Sequence, residues 1–60
     1  MAEDELRRLV HDLRSPLMIV EGFSQLLEGD EQALRPEERA DYLKRIRDAC
    51  RDMREILDRA

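Results

Sequence analysis

The chain has 60 residues, of which 43% are charged and 3% are aromatic, and its formal net charge is −4. This length leaves no room for a second domain, the single cysteine excludes a disulfide framework, and the interspersed charges exclude the basic stripe of a nucleic-acid surface. No apolar run approaches the roughly 20 residues that cross a bilayer, and acidic residues stand where a secretory leader is basic. We expect one domain, residues 1–60, in the cytoplasm and without membrane contact by this segment, even where the parent protein is membrane-anchored.

The first predicted element is an amphipathic helix over about residues 3–28. Its apolar seam advances in alternating steps of four and three residues, which is typical of a helix that packs along its whole length. The acidic residues 3–5 crowd the first turn, where negative charge complements the helix dipole. Gly29 stands where a left-handed residue commonly ends a helix, so we expect such a cap there. The seam residues are Leu6, Val10, Leu13, Leu17, Val20, Ser24 and Leu27.

The second predicted element is a helix over about residues 36–59, reached through a loop at 29–35. Pro36 suits its first turn, because the main-chain donor that proline lacks has no helical partner at that position. The seam of this helix is Leu43, Ile46, Cys50, Met53 and Leu57, flanked by Tyr42, Ala49 and Ile56, which widen the apolar face.

Together these elements predict an all-α fold, an antiparallel two-helix hairpin. One hairpin leaves half of each apolar stripe exposed to water, and a chain of 60 residues buries too little apolar surface to be comfortably stable alone. Two hairpins related by a two-fold axis bury both stripes in a four-helix bundle. We therefore expect a homodimer.

Residues 11–17, His-Asp-Leu-Arg-Ser-Pro-Leu, depart from the pattern of a helix that serves stability alone. Pro16 lies in mid-helix, where proline costs about 3 kcal/mol, and such conflicts concentrate at functional positions. His11 is the only histidine and lies at the border of the seam or outside it. Its neutral imidazole is a competent phosphoryl acceptor. The Asp12 carboxylate can bind one ring N–H, fix the tautomer and stabilise the cation that forms during attack.

Metal binding at His11 and Asp12 is the alternative chemistry for this pair. Adjacent residues point about 100° apart on a helix, and the chain has no second histidine, so we expect no metal site. Nothing resembles a glycine-rich phosphate cradle either, so the donor phosphate and its magnesium come from outside this chain.

Residues 11–17 resemble the H-box of sensor histidine kinases, whose pattern is His, Glu or Asp, any residue, Arg or Lys, Thr, Ser or Asn, Pro, Leu. Residues 19–27, Ile-Val-Glu-Gly-Phe-Ser-Gln-Leu-Leu, are similar to the family's run that ends in Gly-Tyr/Phe-x-x-Leu-Leu. The Pro-Glu-Glu-Arg start and the Tyr-Leu-x-x-Ile pattern of the second helix are also similar. The resemblance covers nearly the whole chain, as the dimerisation and histidine-phosphotransfer domain.

This resemblance implies a role for each position of the box. His11 is the residue phosphorylated from ATP, Asp12 is the general base, and Arg14 lies near the incoming phosphates. Ser15 matches the position that in many relatives orients water for dephosphorylating the partner, where those relatives usually carry Thr or Asn. In the alternative reading, the Ser15 hydroxyl bonds to a main-chain carbonyl that proline frees. Pro16 is the family's bend.

The implied partners are two further domains. ATP and magnesium belong to a separate ATP-binding kinase domain, without which this histidine protein kinase fragment is inactive. The phosphoryl group then passes to an aspartate of a response-regulator receiver domain. For receiver docking we expect a second, partly exposed apolar stripe outside the seam of the first helix, since such patches mark interaction sites. It consists of Met18, Ile19, Gly22, Phe23 and Leu26.

Two alternatives stay open at this point. The stripe is either a docking face or a widened core face. The domain is either the phosphoacceptor and dimerisation core of a histidine kinase or a purely structural helical hairpin that dimerises without phosphotransfer.

Overall fold

The structure, a computed structural model, describes residues 2–29 and 34–60. Within these ranges the chain forms two helices and no strand: helix α1 spans Glu3–Glu28 and helix α2 spans Pro36–Arg59. These spans agree with the ranges that the apolar pattern gives. Part of the predicted loop, residues 30–33, lies outside the described residues.

Charge and backbone hydrogen bonds define the start of α1. Its first turn carries the carboxylates of Glu3, Asp4 and Glu5, which complement the positive end of the helix dipole. The Ala2 carbonyl accepts hydrogen bonds from the main-chain N–H groups of Glu5 and Leu6, each at 3.1 Å. Because no side chain of residue 2 caps this end, the acidic turn is the main local stabilisation of the start of α1.

Both ends of α2 are supported by side chains. Pro36 occupies the first turn, and the Arg35 main-chain N–H donates a hydrogen bond to the Glu38 carboxylate at 3.4 Å. In the last turn, Nε of Arg59 donates to the Glu55 carbonyl at 3.3 Å. This second bond fixes the Arg59 side chain along the last turn, and it places a cation at the negative end of the dipole.

The prediction of a left-handed cap at Gly29 is wrong. Helix α1 does end before this residue, but Gly29 has φ −70° and ψ −150°. No residue in the ranges 2–29 and 34–60 has a positive φ. The chain leaves α1 in an extended conformation, so a left-handed residue is not what ends the helix here.

The predicted antiparallel hairpin is confirmed. Leu9 near the start of α1 and Ile56 near the end of α2 line one depression at the open end of the hairpin. Towards the other end, the rings of Phe23 and Tyr42 lie 5.1 Å apart and are tilted by 43°. The helices therefore run side by side in opposite directions, and the hairpin is a rod of 48 × 16 × 10 Å.

One row of side chains on each helix forms the contact within the hairpin, and we call these two rows the inner rows. Both advance in alternating steps of four and three residues. Among the described residues, only Pro16 and Ala49 are buried, and Ala49 is 3% exposed. The inner row of α1 is Leu9, Leu13, Pro16, Val20, Phe23 and Leu27, and that of α2 is Tyr42, Ile46, Ala49, Met53 and Ile56.

The predicted seam of α1 is wrong as a description of this contact. Leu13 and Val20 do lie in the inner row and are half-buried. Leu6, Val10 and Leu17, however, are 51%, 47% and 45% exposed. A repeat of four and three residues fits two rows of the same helix, and the predicted seam mixed residues from both.

The predicted seam of α2 mixes two rows in the same way. Leu43 and Leu57 are 46% and 53% exposed, and Cys50 between them is also exposed. The three residues predicted as flanks, Tyr42, Ala49 and Ile56, lie instead in the inner row. We call the exposed residues Leu6, Val10, Leu17, Leu43, Cys50 and Leu57 the outer row.

The outer row lies on one side of the hairpin. With about 3.6 residues per turn, the outer residues of each helix are displaced by roughly 80° from the inner row of that helix, in the same rotational sense along the chain. Because α1 and α2 run in opposite directions, equal rotations bring both sets of outer residues to the same side. The hairpin therefore has one continuous exposed apolar side.

The exposed surface of the hairpin is large for its mass. A compact monomer of this mass exposes about 4,100 Å², whereas the hairpin exposes 5206 Å². Much of this surplus is apolar, because eight large hydrophobic side chains of the described residues are 43% to 64% exposed. A single hairpin thus leaves unburied much of the apolar surface on which its stability depends.

We predict that Ala49→Leu destabilises the hairpin by about 1–3 kcal/mol, because added methylene groups have no space where the two helices approach each other. Urea unfolding followed by helical circular dichroism measures this loss at fixed protein concentration. The matched control is Ala40→Leu, the same change at an exposed position of α2. An equal response of the two variants would show that Ala49 is not at the helix contact.

Candidate functional site

The box residues lie within one uninterrupted helix and point in different directions. The His11 side chain is 90% exposed and the Asp12 side chain is 50% exposed. By helix geometry, the His11 ring points away from α2 and also away from the outer row. The expected position of the ring outside the core is therefore observed, and the imidazole is accessible to a large partner.

The imidazole and its neighbouring carboxylate lie close together without a hydrogen bond. Nδ1 of His11 is 3.7 Å from Oδ1 of Asp12, which is beyond the range of about 2.7–3.2 Å for a hydrogen bond. Both side chains are exposed enough to rotate. The arrangement leaves Nε2 as the ring nitrogen farther from the carboxylate and open to solvent.

Two arginines flank His11 along the same face of α1. Arg14 follows it by three residues and Arg7 precedes it by four, which are the spacings of neighbours on a helix surface. All three side chains line one open depression of about 390 Å³. Arg14 is a predicted site residue, whereas Arg7 is not. The signal that identifies Arg7 is its spacing from the histidine, which lies outside the box.

Ser15 lies on the side of the hairpin opposite the outer row. It lines a groove between the helices together with Ile19 of α1 and with Asp52 and Glu55 of α2. Among the hydrogen bonds of the described residues, none joins the Ser15 hydroxyl to a main-chain carbonyl. The alternative in which this hydroxyl bonds back to the helix is therefore not observed, and Ser15 faces a groove whose charged lining is Asp52, Glu55 and Arg59.

Pro16 is buried against α2 while α1 continues through it. Its ring nitrogen has no hydrogen to donate, so the Asp12 carbonyl four residues earlier lacks its helical partner. Packing of the ring in the inner row offsets part of the cost of a proline in mid-helix. The bend at Pro16 stays a prediction.

The predicted docking stripe divides into an exposed part and a packed part. Met18, Ile19 and Leu26 are 64%, 43% and 52% exposed. A Cβ atom added at Gly22 would meet nothing within 4 Å, so this position is also open. Phe23 is half-buried in the inner row. The core alternative therefore describes Phe23, whereas the other four residues remain available to a partner.

The ring of Phe23 is held from two directions by α2. In addition to its contact with Tyr42, it lies under the guanidinium group of Arg45, 5.7 Å from the ring centre. A 2.9 Å hydrogen bond to Asp41 orients this guanidinium group and raises the pKa of Arg45. The cluster joins α1 and α2 towards the connected end of the hairpin.

The described residues offer no arrangement for a resident metal ion, since no three His, Cys, Asp or Glu side chains in the ranges 2–29 and 34–60 converge. Neither α1 nor α2, as described, has an apolar stretch of the length that crossing a membrane requires.

Comparison with protein families matches residues 1–60 to the His Kinase A (phospho-acceptor) domain. This match confirms the resemblance to the phosphotransfer domain of sensor histidine kinases, and it covers the whole chain. Neither the curated proteins nor the solved structures provide a match.

We predict that His11→Ala changes the free energy of unfolding by less than about 0.5 kcal/mol, because the side chain is exposed and makes no hydrogen bond. Chemical denaturation at a fixed protein concentration tests this. Phe23→Ala provides the contrast, with a loss of about 1–3 kcal/mol for a half-buried ring. A loss above about 1 kcal/mol in His11→Ala would contradict the exposed position of the imidazole.

Proposed function

Because the chain belongs to the His Kinase A (phospho-acceptor) domain family, we propose that His11 is its phosphoacceptor and that the hairpin is the dimerisation core of a histidine kinase. One observation carries the assignment of the residue. The only histidine of the chain is 90% exposed and lies in the box that the family match covers. A side chain this exposed contributes little to the stability of the hairpin, so the position of His11 is better explained by its chemistry.

The proposed reaction is attack of the free imidazole nitrogen on phosphorus. The lone pair of His11 Nε2 forms an N–P bond with the terminal phosphoryl group of ATP, and the P–O bond to the departing ADP breaks. The ring becomes cationic, and the proton on Nδ1 passes to the Asp12 carboxylate. The separation of 3.7 Å favours this role, because a small side-chain rotation makes it a hydrogen bond.

The nucleotide and its magnesium belong, in this proposal, to a separate kinase domain. Nothing in the described residues forms a phosphate cradle or a metal site, so the donor is a substrate brought to His11 by another domain. Arg14 contributes positive charge beside the ring, where the phosphates arrive. Since ATP is a cytoplasmic metabolite, we place this domain in the cytoplasm.

The proposed acceptor of the phosphoryl group is an aspartate of a response-regulator receiver domain. The exposed part of the stripe, Met18, Ile19, Gly22 and Leu26, begins two turns after the histidine and supports docking there. Ser15 faces the adjacent groove, from which its hydroxyl can orient a water during dephosphorylation of the receiver. Phe23 supports the stripe from behind and does not form part of the exposed surface.

The outer row supports the proposed homodimer. Its apolar side chains are exposed, lie on one side of the hairpin and follow heptad spacing in α2, where Leu43, Cys50 and Leu57 are seven residues apart. A two-fold axis along this side brings the rows of two copies together as the core of a four-helix bundle. The histidines remain outside that core.

We predict that the wild-type chain, mixed with a competent histidine-kinase catalytic domain, ATP and magnesium, acquires an alkali-stable and acid-labile phosphoryl group. His11→Gln abolishes the label, and Asp12→Asn slows labelling about 100- to 10,000-fold through loss of the base. As the control for folding, both variants are expected to sediment as dimers. A wild type that takes no label under these conditions favours the purely structural hairpin instead.

We further predict that Leu17→Glu produces a monomer, because it places a charge in the apolar core between two hairpins. The matched control is Leu26→Glu, the same substitution at a similarly exposed leucine on the opposite side of α1. Light scattering after size-exclusion chromatography gives both masses. If Leu17→Glu remains dimeric while Leu26→Glu dissociates, the dimer uses the other side of the hairpin.

A further inference from the structure

The surface around His11 contains two charged side chains, Glu3 and Arg7, that the phosphotransfer chemistry described above does not use. The depression beside the ring is lined by Glu3, Leu6, Arg7, Val10, His11 and Arg14. All of these belong to α1, so no charged group of α2 lines this depression. The charged groups that face the ring are therefore one carboxylate and two guanidinium groups, together with the neighbouring Asp12.

Helix geometry directs the imidazole towards one of these arginines. Side chains on an α-helix tilt towards its N-terminus, so a residue covers the turn that precedes its own Cα atom. The preceding turn carries Arg7 and Arg8. Of the two, Arg7 lines the depression beside the His11 ring, whereas Arg8 lines a different one together with Asp12.

In the structure, Arg7 forms a weak ion pair with Glu3. A terminal nitrogen of its guanidinium group lies 3.4 Å from Oε1 of Glu3, and the two side chains are 75% and 80% exposed. Exposed ion pairs of this kind contribute little to stability and exchange readily. Arg14 forms no ion pair with any other residue in the described ranges.

A phosphoryl group on His11 competes with the Glu3 carboxylate for the guanidinium group of Arg7. A carboxylate offers one negative charge, whereas a protein-bound phosphoryl group carries about −1.5 to −2 and three acceptor oxygens. Guanidinium groups bind phosphate through paired N–H donors, which adds geometry to the charge attraction. The phosphoryl group is therefore the better partner, and the ring that carries it lines the same depression as Arg7 and Arg14.

We infer that Arg7, together with Arg14, binds the phosphoryl group of phosphorylated His11, and that Glu3 holds Arg7 in the unphosphorylated protein. This inference rests on the proposed function, because it requires His11 to be the phosphoacceptor. It assigns to Arg7 the stabilisation of the phosphorylated state. Phosphorylation moves the guanidinium group from the first turn of α1 to the phosphoryl oxygens.

The test uses the wild-type chain and its variants, phosphorylated on His11 with potassium phosphoramidate. Phosphorus NMR follows the second ionisation of the phosphoryl group as a function of pH. Because a nearby cation favours the dianion, Arg7→Gln raises the midpoint of this titration by about 0.5 pH unit. Arg7→Lys, which keeps the charge, retains most of the wild-type midpoint.

Arg8→Gln is the matched control, since it removes the same charge one residue away from a side chain that lines the other depression. We expect less than half of the Arg7→Gln shift. Equal midpoints in the wild type, Arg7→Gln and Arg8→Gln overturn the assignment of Arg7 while leaving the phosphoacceptor role intact. Absence of any phosphohistidine in the wild type overturns both.

The role of Glu3 is tested in the same titration. Glu3→Gln lowers the midpoint when Arg7 is present, because the arginine is released to the phosphoryl group. The effect is smaller in the Arg7→Gln background. An equal effect in both backgrounds would show that Glu3 acts through its own charge and does not hold Arg7.

Discussion

The structure depends on one constraint: each helix carries more apolar rows than the hairpin has neighbouring helices to cover them. Each helix carries two such rows, roughly 80° apart around its axis, whereas the chain supplies each helix with only one partner. The inner rows are satisfied by the hairpin. The outer row is exposed, and it forms part of a total surface of 5206 Å² on a chain of 7.1 kDa. A second copy is the simplest partner that covers it, because both halves of the outer row lie on the same side.

This arrangement also explains why the histidine is accessible. The inner row and the outer row occupy adjacent sides of α1, and His11 lies on the part of the helix that neither uses. Its ring is 90% exposed on a rod 48 Å long. In the proposed function, a catalytic domain and a receiver domain reach the same imidazole in turn, so a ring buried in the bundle would serve neither. In this proposal the fold presents the nucleophile, while other domains supply the nucleotide and the acceptor.

Local signals in the sequence were sufficient for the helices and for the exposure of His11. Proline at the start of α2 and the acidic first turns are local features, and they predict the helix limits without knowledge of packing. The choice of inner row was not predictable in this way. A repeat of four and three residues allows two rows on one helix, and close packing around Pro16 and Ala49 selects between them. The backbone conformation at Gly29 was predicted wrongly, and Arg7 was not predicted as a neighbour of His11. Both depend on three-dimensional contacts that the local sequence does not specify.

Sedimentation equilibrium of the purified wild-type chain shows directly whether a second copy covers the outer row. We expect a helical species with a mass close to twice the 7.1 kDa of the chain over a wide concentration range. A stably folded, fully helical monomer of 7.1 kDa at high concentration would contradict it, since the outer row would then need no partner.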